Sequence, residues 1–212
     1  TPAAASDVLA RIVGQRLSEM YGQQFVADNR PGAGGLIGSE LTKQAAPDGY
    51  TLTIVGQPHL SNVLLREEKP YDPLKDFTSI ALVANTYNVI VLGRGVNVKT
   101  IPELIALAKA KPGGMNYGSA GVGSSSHLAG AMFTSKAGID VVHVPFRLGA
   151  DSRSALVAGT IHFYVYPLPA IMGAVKAGQI RALAVASTNR AEGLPEVPTS
   201  AEAGFGQYLS ES

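Results

Sequence analysis

Apolar residues recur along the chain at two alternating spacings. Residues 8–17 carry apolar side chains every three or four positions after Ser6 and Asp7, either of which suits an N-cap, so a helix is predicted there. Similar helical spacing is found at residues 36–41, 101–108, 128–137, 152–157 and 170–177. Short apolar runs typical of strands lie between the helices, at residues 25–27, 50–55, 80–92, 141–144, 161–166 and 182–186. This order, with short loops, predicts an α/β protein with parallel sheets.

One turn, at residues 117–127, is unusually rich in glycine and serine and lies between a strand pattern and a helix pattern. Glycines let a backbone approach a ligand closely, and the free N–H groups of a helix start attract anions. Serine hydroxyls can donate to a carboxylate or phosphate and can also cap the helix. The other glycine-rich turns also lie at strand-to-helix junctions, and in open α/β sheets ligands bind on that side. We therefore predict an anion-binding turn here.

Composition excludes several classes of protein. The 212 residues carry a net charge of +1 and are 46% hydrophobic, enough for one large domain or two small ones. The near-neutral balance does not indicate nucleic-acid binding, no apolar run approaches the length of a membrane span, and the absence of cysteine rules out disulfides. The first residues contain neither an initiator methionine nor a signal segment. We expect a chain truncated at both ends.

Motifs for other chemistry are incomplete. Gly118 and Gly123 have P-loop spacing, but Ser124 occupies the lysine position, and in the glycine-rich turn at 32–38 Ile37 replaces the third glycine of a dinucleotide fingerprint. The four histidines have no metal-ligand spacing, and structural roles are expected for those at 143 and 162. No metal, cofactor or catalytic residue is predicted. An α/β enzyme that acts on an anion through Ser124 or His127 remains the rival hypothesis.

A series of ordered motifs resembles one known family. The motifs are NRPGAGG (29–35), PDGYTL (47–52), YDP (71–73), NYGSAG (116–121), HLAG (127–130), HVPF (143–146), GQIRALAV (178–185) and PEVPT (195–199). They cover essentially the whole chain and are similar to those of the Bug (Bordetella uptake gene) family, the TctC-like solute receptors of tripartite tricarboxylate transporters.

The resemblance implies a type II periplasmic-binding-protein fold, with two α/β lobes, two crossing segments and a ligand cleft. Residues 1–92 would belong to the first lobe, 93–187 to the second, and 188–212 would return to the first. The implied function is a monomeric, non-enzymatic receptor in the periplasm that captures a small organic acid and delivers it to membrane permease subunits. A ligand-presenting receptor for a signalling system is a further possibility, and nucleic acid is not an expected partner.

Site residues are carried over from the family's ligand loops. The resulting ligand-binding candidates are Ala3, Ala4, Ala5, Ser6, Gln57, His59, Asn62, Ser119, Gly123, Ser124, Ser125, Ser126, His127, Gly149, Ala150 and Tyr166. Where amino-acid-binding members of the family often have an acidic residue, this chain has Tyr166. A buried ammonium group would lack a counter-charge there. We therefore expect a ligand without an amino group, either a dicarboxylate or an aromatic carboxylate.

Overall fold

The structure is a computed structural model that describes residues 5–30, 32, 35–146 and 149–210. The chain divides into two units. The first is Thr1–Ala84 and the second is Asn85–Ser212. The described part of the first unit contains the helices α1 (Ala5–Tyr21), α2 (Leu36–Gln44) and α3 (Gln57–Leu64). Its small core consists of Leu36, Val63 and Tyr71, with Phe77 packed against them.

Two sequence predictions for the first unit are wrong. No strand forms among its described residues, so the apolar runs at 25–27 and 50–55 are not paired in a sheet. A strand needs a neighbour to accept its backbone hydrogen bonds, and side chains such as Tyr50 and Leu52 remain exposed here. Residues 57–62, predicted as a polar loop, form most of α3, with Pro58 in the first turn where its missing N–H costs nothing.

The second unit contains a five-stranded sheet flanked by four helices. Its strands are β1 (Asn88–Leu92), β2 (Asn116–Ser119), β3 (Val142–Pro145), β4 (Phe163–Pro167) and β5 (Arg181–Val185). Its helices are α4 (Ile101–Ala110), α5 (Ser125–Ala137), α6 (Gly149–Ala158) and α7 (Leu168–Lys176). The strand order is β3-β2-β4-β1-β5. β2 is parallel to both β3 and β4, but β1 is antiparallel to β4 and β5, so the expected parallel sheet is in fact mixed.

The sheet has a hydrophobic core on each face, and the apolar side chains of β1 point alternately into one core and the other. Ile90 and Leu92 face the core that contains α4 and α5, whereas Val89 and Val91 face the core that contains α6 and α7. The helix after β2 therefore lies on one face, and the helix after the adjacent β4 lies on the other. The connections that follow these two neighbouring strands therefore run to opposite faces of the sheet, which makes this a topological switch point. Open α/β sheets bind ligands at such a point, at the carboxyl ends of the strands.

The predicted segment boundaries differ from the division in this structure. Residues 88–92 were predicted in the first lobe, whereas in this structure β1 is hydrogen-bonded between β4 and β5 in the second unit's sheet. The segment after β5, predicted to return to the first lobe, packs on the same unit. Tyr208 Oη donates to the Ala129 carbonyl (2.7 Å), and Asn88 N donates to the Ser210 carbonyl (3.0 Å). How these units correspond to the lobes of the complete fold stays a prediction.

Candidate functional site

The glycine- and serine-rich turn leaves the carboxyl end of β2, at the switch point of the sheet. Gly121 and Gly123 adopt φ angles of 109° and 81°, values that residues with a side chain rarely reach. These two glycines reverse the chain between Ser119 and Ser124, the N-cap of α5. Glycine is therefore required here by the backbone path that brings the start of α5 to this edge.

Ser119 organises the first half of the turn. Its side chain is fully buried, and its Oγ accepts a hydrogen bond from the Gly121 amide (3.1 Å). The same Oγ lies 2.6 Å from His143 Nε2 and 3.2 Å from the Gly121 carbonyl, so its one proton is used within the protein in either case. The Ser119 hydroxyl therefore positions the turn, and the ligand contact predicted for this residue stays a prediction.

Ser124 and Ser126 organise the second half. Ser124 Oγ donates to the Gly121 carbonyl (2.6 Å) and accepts from the His127 amide (3.2 Å), which confirms the helix-capping role expected for a serine here. Ser126 is buried, and its Oγ accepts from the Ala120 amide (3.0 Å) and from Tyr164 Oη (3.2 Å). Its own proton can then reach only Ser124 Oγ, 3.2 Å away. Neither hydroxyl is left to donate to an anion.

Ser125 is the serine that the turn leaves available. It is the first residue of α5 and is half-buried. No hydrogen-bond partner for its Oγ, for its amide or for the Ser126 amide is found among the described residues. Residues 117–127 contain no charged side chain except for His127 when protonated, so an anion here would be held by backbone dipoles and one hydroxyl.

Two stacked histidines support the turn. The His127 and His143 rings are 4.3 Å apart and inclined by 26°, and Tyr117 stacks on His143 at 4.9 Å. His127 Nδ1 accepts from the Gly123 amide (3.2 Å), so this nitrogen carries no proton in the folded turn. Burial lowers the pKa of His127, and burial together with the neighbouring His127 lowers the pKa of His143. Both shifts favour the neutral imidazole.

A chain of hydroxyls links the turn to α6. The Tyr164 hydroxyl forms hydrogen bonds with Ser126 on one side and with Ser152 of α6 on the other. Ser152 Oγ also lies 3.2 Å from Tyr166 Oη. Burial raises the pKa of Tyr164 to about 12. Tyr166, a predicted ligand contact, is buried, and its hydroxyl is hydrogen-bonded to α6 through Ser152. Gly149 and Ala150, the predicted amide donors, are the first two residues of that helix.

The first-unit candidates have varied surroundings. Ala3 and Ala4 lie outside the described residues, whereas Ala5 begins α1 and Ser6 is exposed in its first turn. Because the helix starts at Ala5, neither Ser6 nor Asp7 is the N-cap that the sequence predicted. Asp7 is buried instead, and its carboxylate accepts from Arg11 (3.0 Å) and from Asn29 (2.6 Å). The predicted ligand loop is therefore partly a helical turn.

His59 is a core residue of the first unit. Its ring stacks on Tyr71 at 4.7 Å and meets Phe77 edge-on at 4.7 Å, and its Nδ1 lies 2.9 Å from Ser39 Oγ. These contacts give His59 a structural role, and its predicted ligand contact stays a prediction. Gln57 and Asn62 are half-buried on the same helix, and a partner for the buried Gln57 Oε1 is not found among the described residues. Their ligand roles remain predictions.

Comparison with known proteins identifies the family. The model of the tripartite tricarboxylate transporter family receptor, TctC, matches residues 9–211. The chain belongs to the TctC family. This confirms the resemblance to Bug/TctC receptors. Among TctC relatives, a UPF0065 protein encoded between tcbD and tcbE in Pseudomonas sp. strain P51 is 37% identical over 95% of this chain and 60% of its own length. BugT of Bordetella pertussis is 31% identical over 99% of this chain and 65% of its own length.

Solved structures confirm the periplasmic-binding α/β fold. Rpa4515 of R. palustris, determined with adipate, has a TM-score of 0.89 and 35% identity, and the match covers all of this chain and 71% of that one. MatC of Rhodopseudomonas palustris, with bound malate, has a TM-score of 0.87 and 28% identity, over all of this chain and 72% of that one. This TctC chain thus spans under two thirds of the length of the two relatives above and somewhat more of the two solved chains.

Sequence reasoning missed several residues that build this site. His143, Tyr164 and Ser152 position the turn, although only a structural role was predicted for His143 and none for the other two. The structural role of His162 is confirmed, since its Nδ1 accepts from the Asn116 amide (3.1 Å). Among the described residues, no three His, Asp or Glu side chains are grouped to hold a metal, and none of the helices could cross a bilayer.

Proposed function

We propose that this chain is the solute-binding part of a periplasmic receptor that captures a small organic acid for a tripartite tricarboxylate-type transporter. The observation that carries the proposal is the start of α5, where the Ser125 hydroxyl and the Ser125 and Ser126 amides are unused at the sheet's switch point. A carboxylate is the anion that such a cluster of N–H and O–H donors suits.

The class of ligand follows from the surroundings of the turn. Relatives with solved structures were determined with adipate and with malate, both of which have two carboxylates. Tyr166 is buried and hydrogen-bonded to Ser152, and it stands where a carboxylate would be needed to balance a ligand's ammonium group. We therefore propose a dicarboxylate or aromatic carboxylate rather than an amino acid. Gly149 and Ala150, at the start of α6, would supply amides to the same ligand.

Calorimetry with five acids tests this proposal. Adipate, malate and benzoate represent the proposed classes, and aspartate and glutamate add an ammonium group to a dicarboxylate of similar size. We expect at least one of the first three acids to bind and the two amino acids to bind at least tenfold more weakly. Binding of aspartate or glutamate alone would refute the ligand class, and failure of all five would remove the support for an organic-acid receptor.

One observation favours the rival enzyme hypothesis. Ser119 Oγ lies 2.6 Å from His143 Nε2, which resembles a nucleophile with its base. However, Ser119 is fully buried and is also bonded to the Gly121 backbone, and no carboxylate is found on His143 among the described residues. Release of nitrophenol from nitrophenyl esters, lost in Ser119→Ala, would support the enzyme. We expect no turnover above the buffer rate.

A further inference from the structure

An open recess in the second unit carries positive charge far from the anion-binding turn. Its volume is about 350 Å³, and it is lined by Arg94, Arg153, Ser154, Val157, Ala158 and Gln179. Arg94 follows β1, whose last residue pairs with the first residue of β4, and Gln179 lies just before β5. The recess is therefore at the amino ends of β4 and β5, opposite the edge at which the turn leaves β2.

Two exposed arginines dominate this recess. Neither Arg94 nor Arg153 forms a salt bridge with a described Asp or Glu, although Arg11, Arg16, Arg30 and Arg190 all do. The lining contains no acidic residue. Guanidinium groups bind carboxylates through paired hydrogen bonds, and the two in this lining have no ion-pair partner among the described residues.

The backbone beneath Arg94 is fixed. The Gly93 amide donates to the His162 carbonyl (2.8 Å), and the Arg94 amide donates to the Leu156 carbonyl near the end of α6 (3.0 Å). Gly159 has a φ of +80°, and a Cβ there would lie 2.4 Å from the Arg94 carbonyl oxygen. Arg94 and the end of α6 are thus held against each other, so the recess is preformed and would not need to be ordered on binding.

We propose that this recess docks an acidic segment of a protein partner. The proposal rests on the proposed receptor function, because a receptor that hands over its ligand needs a docking surface that the ligand does not occupy. Val157 and Ala158 form an apolar wall, and Ser154 and Gln179 offer hydrogen bonds. A peptide bearing Asp or Glu uses all three kinds of contact, whereas a hydrated inorganic anion uses only the charge.

Fluorescence anisotropy with the full 212-residue chain tests the proposal. The probe is a labelled octapeptide of alternating Glu and Gly, and its control carries Gln in place of Glu. We expect binding of the Glu peptide at low salt, weaker binding as salt rises, and a loss of affinity of about tenfold or more in Arg94→Glu/Arg153→Glu. Lys109→Glu, which reverses an exposed charge on α4 across the sheet, should have no effect on peptide binding.

Other outcomes would overturn the proposal. Equal affinity of the double variant and the wild type, or an equal loss with Lys109→Glu, would mean that the recess is not the docking site. Arginine-dependent binding to phosphatidylglycerol vesicles without peptide binding would assign it to a membrane surface. Arg94→Gln/Arg153→Gln replaces the double reversal if the latter fails to fold. Organic-acid binding, measured by calorimetry on the same variants, should be unchanged. If the wild-type chain binds none of the acids, the proposed receptor function is contradicted, whereas the result with the peptide still stands.

Discussion

Substitution of Ser125 by proline, compared with substitution by alanine, distinguishes the contribution of the Ser125 amide to ligand binding from that of its hydroxyl. Ser125 is the first residue of α5, where proline fits a helix well, and Ser124 has φ −68° and ψ 159°, the extended geometry that a residue before proline prefers. Ser125→Pro should therefore leave the free energy of unfolding within about 1 kcal/mol of the wild-type value. It removes both the hydroxyl and the N–H, whereas Ser125→Ala removes the hydroxyl alone.

The expected loss of affinity follows from the charge on the ligand. A hydrogen bond to a charged group contributes about 1.5–3 kcal/mol, so loss of the amide should weaken organic-acid binding by a further factor of about 10 to 150 beyond Ser125→Ala. Calorimetry with the tightest-binding acid of the panel measures the two Kd values, and urea denaturation checks that both variants are folded. Equal Kd values for the alanine and proline variants would refute the claim that the Ser125 amide binds the carboxylate.

Two further predictions concern stability, measured by urea denaturation. Because burial lowers the folded-state pKa of His127 and of His143 below the unfolded value of about 6.5, the unfolded chain binds more protons at low pH. The free energy of unfolding should fall as the pH drops below about 6.5, less steeply in His127→Gln; a flat profile would contradict this. Gly130→Ala places a Cβ 2.4 Å from the Tyr117 ring and should destabilise the protein by about 1–3 kcal/mol. A Cβ added at Gly173 would have no atom within 4 Å, so Gly173→Ala should instead stabilise α7 by about 0.5–1 kcal/mol. A change in the free energy of unfolding of the same sign in both variants would contradict this reasoning.

The sequence predicted the second unit better than the first. Each strand of the sheet was marked by a short apolar run or by the turn that follows it, and the helical spacing at residues 101–108 predicted α4, which Thr100 caps by accepting from the Glu103 amide. In the first unit the runs at 25–27 and 50–55 have the same character but no described partner strand. Pairing is a long-range property, so an apolar run alone cannot predict it.

The position of the glycine- and serine-rich turn between β2 and α5 could be predicted, but the hydrogen bonds of its serines could not. Ser119, Ser124, Ser125 and Ser126 are chemically identical in the sequence. The structure distinguishes them because Ser126 is buried against Tyr164, which is 38 residues away, and Ser119 lies next to His143. Of these four serines, Ser125 is the one whose hydroxyl has no hydrogen-bond partner in the described part of the chain. The distinction depends on strand order, which places β4 and β3 beside β2, and no local pattern encodes that order.

Nuclear magnetic resonance tests the central claim, that the start of α5 binds the ligand's carboxylate, most directly. The ¹⁵N-labelled chain is titrated with the tightest-binding acid of the calorimetry panel while the backbone amides are followed. We predict that the Ser125 and Ser126 amide protons move downfield in proportion to occupancy, whereas the amides of α4 stay in place. Saturation without any shift of these two amides would contradict the account.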